Sequence, residues 1–109
     1  LGTDSNARIS MIEEMRWMEY AQRLSREERG VCVDSDGSMS RYLLDAATKN
    51  GARCLGIQSG AIEVGKYADF TVIRLGHPQL AGATPQSLGT AICCGGDNSI
   101  IERTIIAGE

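Results

Sequence analysis

The stretch Gly60-Ala61-Ile62-Glu63-Val64-Gly65-Lys66-Tyr67-Ala68-Asp69-Phe70 marks where the chain stops reading as helix and becomes extended and punctuated by glycine. Gly65 supplies a turn, Ala68 and Phe70 select a buried face, and Asp69 is placed to satisfy nearby backbone amides. Lys66 and Asp69 are therefore read as folding residues. The stretch runs into Phe70-Thr71-Val72-Ile73-Arg74-Leu75, whose β-branched content predicts a strand, ended by Gly76-His77-Pro78.

Upstream of Gly60 the pattern is helical. Ser10 with Glu13 three residues on forms a capping box. Met11, Met15, Met18, Ala21 and Leu24 recur at helical spacing with Ile12 and Trp17 beside them, while Glu13, Arg16, Glu19 and Arg23 fill the other side. This predicts a helix from Met11 to Arg29 that stops at Gly30, with Trp17 and the methionines as packing core and Arg23 to Arg29 as a solvated charged end. Val31 to Ser38 reads as a loop. Ser38 or Ser40 caps a second helix with Tyr42, Leu43, Ala46 and Ala47 on its apolar face. Asn50-Gly51 stops it, and Ala52 to Leu55 adds one turn ending at Gly56.

Downstream, Thr84 before Pro85 predicts a short helix from Pro85 to Cys93. Gly95 to Asn98 follows as a turn and Ile100 to Ala107 as a last strand. At the other end, Leu1 to Asp4 reads as the end of a strand entering a loop at Ser5 to Arg8. Two strands separated by a helix leave edges that need partners. Together with a first residue that is not Met, this leads us to expect a fragment of a larger fold.

The chain has 109 residues, 42% hydrophobic, 23% charged and 5% aromatic, a globular balance for at most one domain's worth of chain. One Trp, one Phe and three Tyr provide few large anchors, and thirteen Gly dilute the core. Eleven Lys and Arg against fourteen Asp and Glu give a net charge of −3, with no basic stripe for a phosphate backbone, so nucleic-acid binding is not expected. No apolar run approaches the roughly 20 residues of a membrane helix. Cys32, Cys54, Cys93 and Cys94 follow no CxxC pattern and are read as reduced thiols of a cytoplasmic protein, with the Cys93-Cys94 pair structural rather than metal-binding.

Three stretches together resemble the amidohydrolase superfamily, metal-dependent hydrolases built on a (β/α)₈ barrel with a small β-domain. Leu1-Gly2-Thr3-Asp4-Ser5 is similar to the end of the eighth barrel strand and its metal-binding Asp. Ala47 to Ala52 with Leu55-Gly56 is similar to the helical pair leaving the barrel, and Gly60 to Phe70 to the family's G-x-(I/L)-x-x-G-K-x-A-D-(F/L) entry into the β-domain. Within the superfamily, Thr3 to Asn6, Arg8-Ile9, Glu13 to Arg16 and Glu19-Tyr20-Ala21-Gln22-Arg23-Leu24 most resemble the formimidoylglutamate deiminases.

The resemblance implies an α/β fold: the final strand–helix unit of a (β/α)₈ TIM barrel in residues 1–56, with strand 8, the metal-site loop and the following helices, and the C-terminal part of a small β-sandwich domain in 57–109. It implies one divalent ion, Zn²⁺, with Asp4 both metal ligand and general base, and Ser5 and Asn6 orienting Asp4 or touching substrate. Taken on residue type alone, Asp4, Ser5 and Asn6 are equally good loop formers, and Arg8 is a solvated charge ahead of a helix. A catalytic zinc commonly uses three protein ligands, His among them, and the single His77 sits on a loop with no partner at ligand spacing. The family's other ligands must then lie outside these residues, and the 109-residue piece alone is expected to be inactive.

The reaction so implied belongs to histidine degradation: hydrolysis of N-formimino-L-glutamate to N-formyl-L-glutamate and ammonia. Its rivals are a nucleobase or triazine deaminase or chlorohydrolase of the same superfamily and, in another class, a non-catalytic structural or oligomerising module. The expected partners are a small-molecule substrate, the rest of the barrel, and further copies of the chain, since exposed edges favour self-association; neither nucleic acid nor membrane is expected.

Overall fold

In α1 (Met11–Arg26), the N-cap Ser10 is extended (φ −156°) and its hydroxyl oxygen accepts the Glu13 amide at 3.3 Å. That is one half of the predicted capping box. The other half is not made, because Glu13 turns outward to Arg8 at 3.2 Å. The helix ends three residues before its predicted final residue, Arg29, with Glu27 left-handed at φ 56°. The physical reason lies in Glu19, whose carboxylate accepts the amides of Gly30, Val31 and Cys32. The chain must leave the helix to bring those three amides back onto it.

All 109 residues, Leu1–Glu109, are described by this computed structural model. The buried line along α1 is Ile12, Met15 and Glu19, while Trp17 is 55% and Leu24 79% exposed. The expected faces are thus partly exchanged: Glu19 and Arg16 turn toward the interior, and Trp17 lies on the side that no element of this chain covers. Helical spacing explains it, since positions 12, 15 and 19 form one narrow stripe and 17 and 24 the opposite one.

The loop after α1 is shaped by Asp34, whose Oδ1 accepts the amides of Asp36 (3.0 Å) and Ser38 (2.8 Å). Ser38, one of the two expected caps, then starts α2 (Met39–Ala47). Asn50-Gly51 is not the stop. The break comes at Thr48 (φ −114°, ψ −86°), whose hydroxyl donates to the Leu44 carbonyl at 2.7 Å. A new helix, α3 (Lys49–Leu55), starts at once, carries Gly51 inside it, and ends at Gly56 in the left-handed region as predicted.

The strands β1 (Phe70–Ile73) and β2 (Ile101–Ile105) pair antiparallel, Phe70 opposite Ile105 and Ile73 opposite Ile101, with an irregularity between Val72 and Ile73. They are partners of each other, which the sequence reading missed, and both outer edges of this two-stranded sheet are open. Both strands are shorter than predicted. Beyond Ile73 the chain turns, with the His77 amide on the Arg74 carbonyl, into a 3₁₀ turn at Pro78–Leu80.

The helix predicted from Pro85 begins only at Leu88. Thr84 and Ser87 cap each other, the Thr84 amide donating to the Ser87 hydroxyl and the Ser87 amide to the Thr84 hydroxyl. The single turn α4 (Leu88–Thr90) then widens into a π-helical turn, Ala91–Gly95. Leu1 to Asp4 form no strand, because no strand of this chain lies beside them to pair with.

The core is the cluster Ile12, Met15, Cys32, Leu43, Leu80, Cys93 and Ile100, drawn from both sides of residue 56. It contains no aromatic ring. Aliphatic and sulfur side chains do the packing that aromatic anchors usually do.

Candidate functional site

Asp4 lies at the apex of a tight turn closed by the Asn6 amide on the Thr3 carbonyl at 2.7 Å, and its backbone is left-handed at φ 42°. That conformation is uncommon for a residue other than glycine, though Asp tolerates it better than most. The side chain is exposed, and no hydrogen bond or ion pair engages its carboxylate. A free carboxylate at the tip of an ordered turn can take a proton or donate a lone pair to a cation.

The expected neighbours divide. Ser5 is exposed and makes no side-chain hydrogen bond. Asn6 is committed to structure: its Oδ1 accepts the Arg8 amide at 3.2 Å and its Nδ2 donates to Glu14 Oε1 at 3.1 Å, tying the turn to the first turn of α1. Arg8 pairs with Glu13, as a solvated charge does.

No three His, Cys, Asp or Glu side chains come together anywhere in the chain. Asp4 suits a single ligand position and no more, so these residues do not by themselves hold a catalytic ion. His77 is remote from any such role: its Nδ1 accepts the Gln79 amide and its Nε2 lies 3.4 Å from the Ser99 hydroxyl. All four cysteines are free thiols. Cys93 is fully buried, and burial pushes its thiol up to about 11, which keeps it neutral and inert.

Two polar residues fix the two ends of α1, Glu19 at its C-terminal end and Asn98 at the end beside Asp4. Glu19 has no exposed surface. Burial pushes its carboxyl upward, but the Arg23 hydrogen bond (2.7 Å) and the Cys32 and Val31 amides outweigh it and leave the group below its ordinary value. Its place four residues after Met15 and seven after Ile12 was the available signal. Asn98 reaches the opposite end of the chain, accepting from the Ser10 hydroxyl at 2.8 Å and donating to the Ile9 carbonyl at 3.0 Å. In the sequence it reads as a turn residue, and nothing local distinguishes it from one. Asp69 does what its motif predicted, accepting the Ala107 amide at 2.9 Å and the Ser59 hydroxyl at 2.8 Å.

The chain thus presents an exposed carboxylate on a braced turn ahead of α1, on a mixed helix and strand scaffold. The Amidohydrolase family profile matches residues 1–109, and the chain belongs to that family. It is 37% identical over 110 residues to formimidoylglutamate deiminase of Pseudomonas aeruginosa, covering 100% of this chain and 24% of that protein. It is 33% identical over 113 residues to 5-methylthioadenosine/S-adenosylhomocysteine deaminase of Pyrococcus furiosus, covering 100% of this chain and 25% of the relative. It is 30% identical over 112 residues to 5'-deoxyadenosine deaminase of Methanococcus maripaludis, covering 100% and 24%. The chain thus spans about a quarter of the length of these relatives. No helix is long and apolar enough to cross a membrane.

Proposed function

We propose that this sequence is part of a hydrolytic deaminase that cleaves a C–N bond, with N-formimino-L-glutamate as substrate and N-formyl-L-glutamate and ammonia as products. The observation that carries the choice is the 37% identity to a formimidoylglutamate deiminase across the whole chain, against 30% and 33% for nucleoside deaminases that match the whole chain and 35% for two that match about three quarters of it. The run Glu19 to Leu24, similar to that deiminase subfamily, is also built into the fold through the Glu19 carboxylate.

In this reading the chain is the closing part of a (β/α)₈ barrel with part of a β-domain, in a cytoplasmic enzyme of histidine degradation. A divalent ion such as Zn²⁺, when bound, would supply a water of lowered pKa. Asp4 would be its one ligand among these residues, the other ligands coming from elsewhere in the enzyme. Asp4 takes a proton from the attacking water as oxygen bonds to the formimino carbon. It passes that proton to the imino nitrogen and then carries the remaining hydroxyl proton to the same nitrogen as the C–N bond breaks, so that ammonia leaves and the hydroxyl oxygen becomes the formyl oxygen. The 109 residues alone have one ligand and no activity.

The relatives that act on adenosine derivatives support a second reading, a nucleoside deaminase of the same family. Ammonia release by the full-length protein from N-formimino-L-glutamate and from 5'-deoxyadenosine distinguishes the two. The first reading requires the formimino substrate to have the higher kcat/KM.

A further inference from the structure

The turn at residues 97–99 is braced by its own side chains. Asp97 Oδ1 accepts the Ser99 amide at 2.8 Å and the Ser99 hydroxyl, and Oδ2 accepts Gln79 Nε2 at 2.9 Å. The Asp97 amide in turn donates to Gln79 Oε1 at 3.2 Å. The Ser99 hydroxyl, with the Gln79 amide group, holds the Asp97 carboxyl far below the usual carboxylate range. Asn98 is therefore presented from a rigid turn, and both ends of its side-chain amide are used on residues 88 and 89 positions away, Ser10 and Ile9.

Ser10 is 3% exposed and is the N-cap of α1, so its hydroxyl oxygen serves the Glu13 amide while its proton goes to Asn98. One turn into that helix Glu14 holds Asn6, and Asn6 closes the turn at whose apex Asp4 stands. A continuous series of hydrogen bonds and one short helical turn thus joins the 97–99 turn to the Asp4 turn.

We propose that Asn98 is a positioning residue for Asp4: by clamping Ile9 and Ser10 it fixes the origin of α1, from which the Asp4 turn is suspended. This rests on the reading of Asp4 as the proton-transferring carboxylate. Asn98 touches neither substrate nor reacting atoms in this account. Its effect is on the accuracy with which Asp4 is held, and errors on the order of 1 Å can cost about 100-fold in rate.

The test uses the full-length protein, with ammonia release from N-formimino-L-glutamate as readout. Asn98→Ala, Asp4→Asn and the double variant are compared with wild type, with Asp69→Ala as a control that removes the acceptors of the Ala107 amide and the Ser59 hydroxyl, away from α1. Asn98→Ala should lower kcat by about 10- to 100-fold with KM within about twofold. Asp69→Ala should leave kcat near wild type at a similar change in melting midpoint. The double variant should be no slower than Asp4→Asn, because misplacing an absent base costs nothing more. Wild-type kcat in Asn98→Ala, or a further drop in the double variant, overturns the positioning role alone. Wild-type kcat in Asp4→Asn overturns the reading of Asp4 beneath it. Should Asn98→Ala fail to fold, Asn98→Asp keeps the acceptor for Ser10 and loses the donor to Ile9. It should fall measurably below wild type in kcat, and a wild-type value there also overturns the proposal.

Discussion

The Glu19 carboxylate accepts the Cys32 amide at 2.7 Å with no solvent-exposed surface of its own, binding the end of α1 to the loop that follows it. The same group takes the Gly30 and Val31 amides and the Arg23 guanidinium. Replacing it by Gln places an NH₂ donor among backbone donors. Glu19→Gln should therefore destabilise the fold by about 3 kcal/mol, read as a shift in the urea midpoint. Glu13→Gln, which loses only the exposed pair with Arg8, should cost less than about 1 kcal/mol.

The same carboxylate sets an acid limit. Its folded pKa lies below the ordinary 4.5, so the stabilisation is complete above that value and is lost as pH falls through the lower, folded value. Melting midpoints of wild type should decline with acid below about pH 4.5, and Glu19→Gln should decline less steeply. At the alkaline end Cys93 works with the opposite sign. A thiol raised from 9.0 to about 11 favours the folded state until pH passes 9, and that contribution is lost between pH 9 and 11. Cys93→Ala should flatten that limb, although the cavity it leaves lowers stability at neutral pH.

The cysteines should separate in a thiol-labelling experiment. Cys54 is exposed, whereas Cys32 and Cys93 are buried. An aromatic disulfide reagent should modify Cys54 first, and reach Cys32 and Cys93 only on unfolding. Early labelling of Cys93 would contradict its burial.

Two glycines of the stretch that decides the fold should respond differently. Gly60 and Gly65 both have left-handed backbones, at φ 82° and 87°, so either Ala variant is strained by about 1 kcal/mol. A Cβ on Gly60 would also stand 2.6 Å from the Thr48 carbonyl oxygen, whereas one on Gly65 meets nothing within 4 Å. Gly60→Ala should therefore lower the melting midpoint clearly more than Gly65→Ala. Equal shifts would mean that the contact between the 60s stretch and the α2–α3 junction is absent.

How much was legible follows from what each feature depends on. The Ser10 cap, the Gly56 stop and the existence of both strands depend on residues close in sequence or on strong β-branched patterning and are legible in it; Asp69 is legible as an acceptor of backbone amides, although the amide it takes, that of Ala107, lies 38 residues on. The early end of α1 and the interior placement of Arg16 were not. Arg16 reaches the carbonyls of Cys93 and Gly96, some 80 residues away, and no local pattern encodes that. The Thr48 break was misplaced to Asn50-Gly51 because a hydroxyl returning to a carbonyl four residues back competes with the more familiar Gly stop. At the candidate site, Asp4 was singled out only through resemblance, and Asn98 escaped notice because its partners lie at the other end of the chain.

Open edges bear on assembly. The two-stranded sheet has no covered flank, and Leu24, Ile62 and Val64 are largely exposed. The 109-residue chain by itself should self-associate in size-exclusion light scattering, and a clean monomer would defeat that prediction.

Steady-state ammonia release from N-formimino-L-glutamate by the full-length protein, wild type beside Asp4→Asn, tests the central claim most directly. The account predicts turnover by the wild type and a loss of about 100- to 10,000-fold in kcat in the variant. Undiminished kcat in Asp4→Asn, or a wild type that leaves this substrate intact while releasing ammonia from 5'-deoxyadenosine, would contradict it.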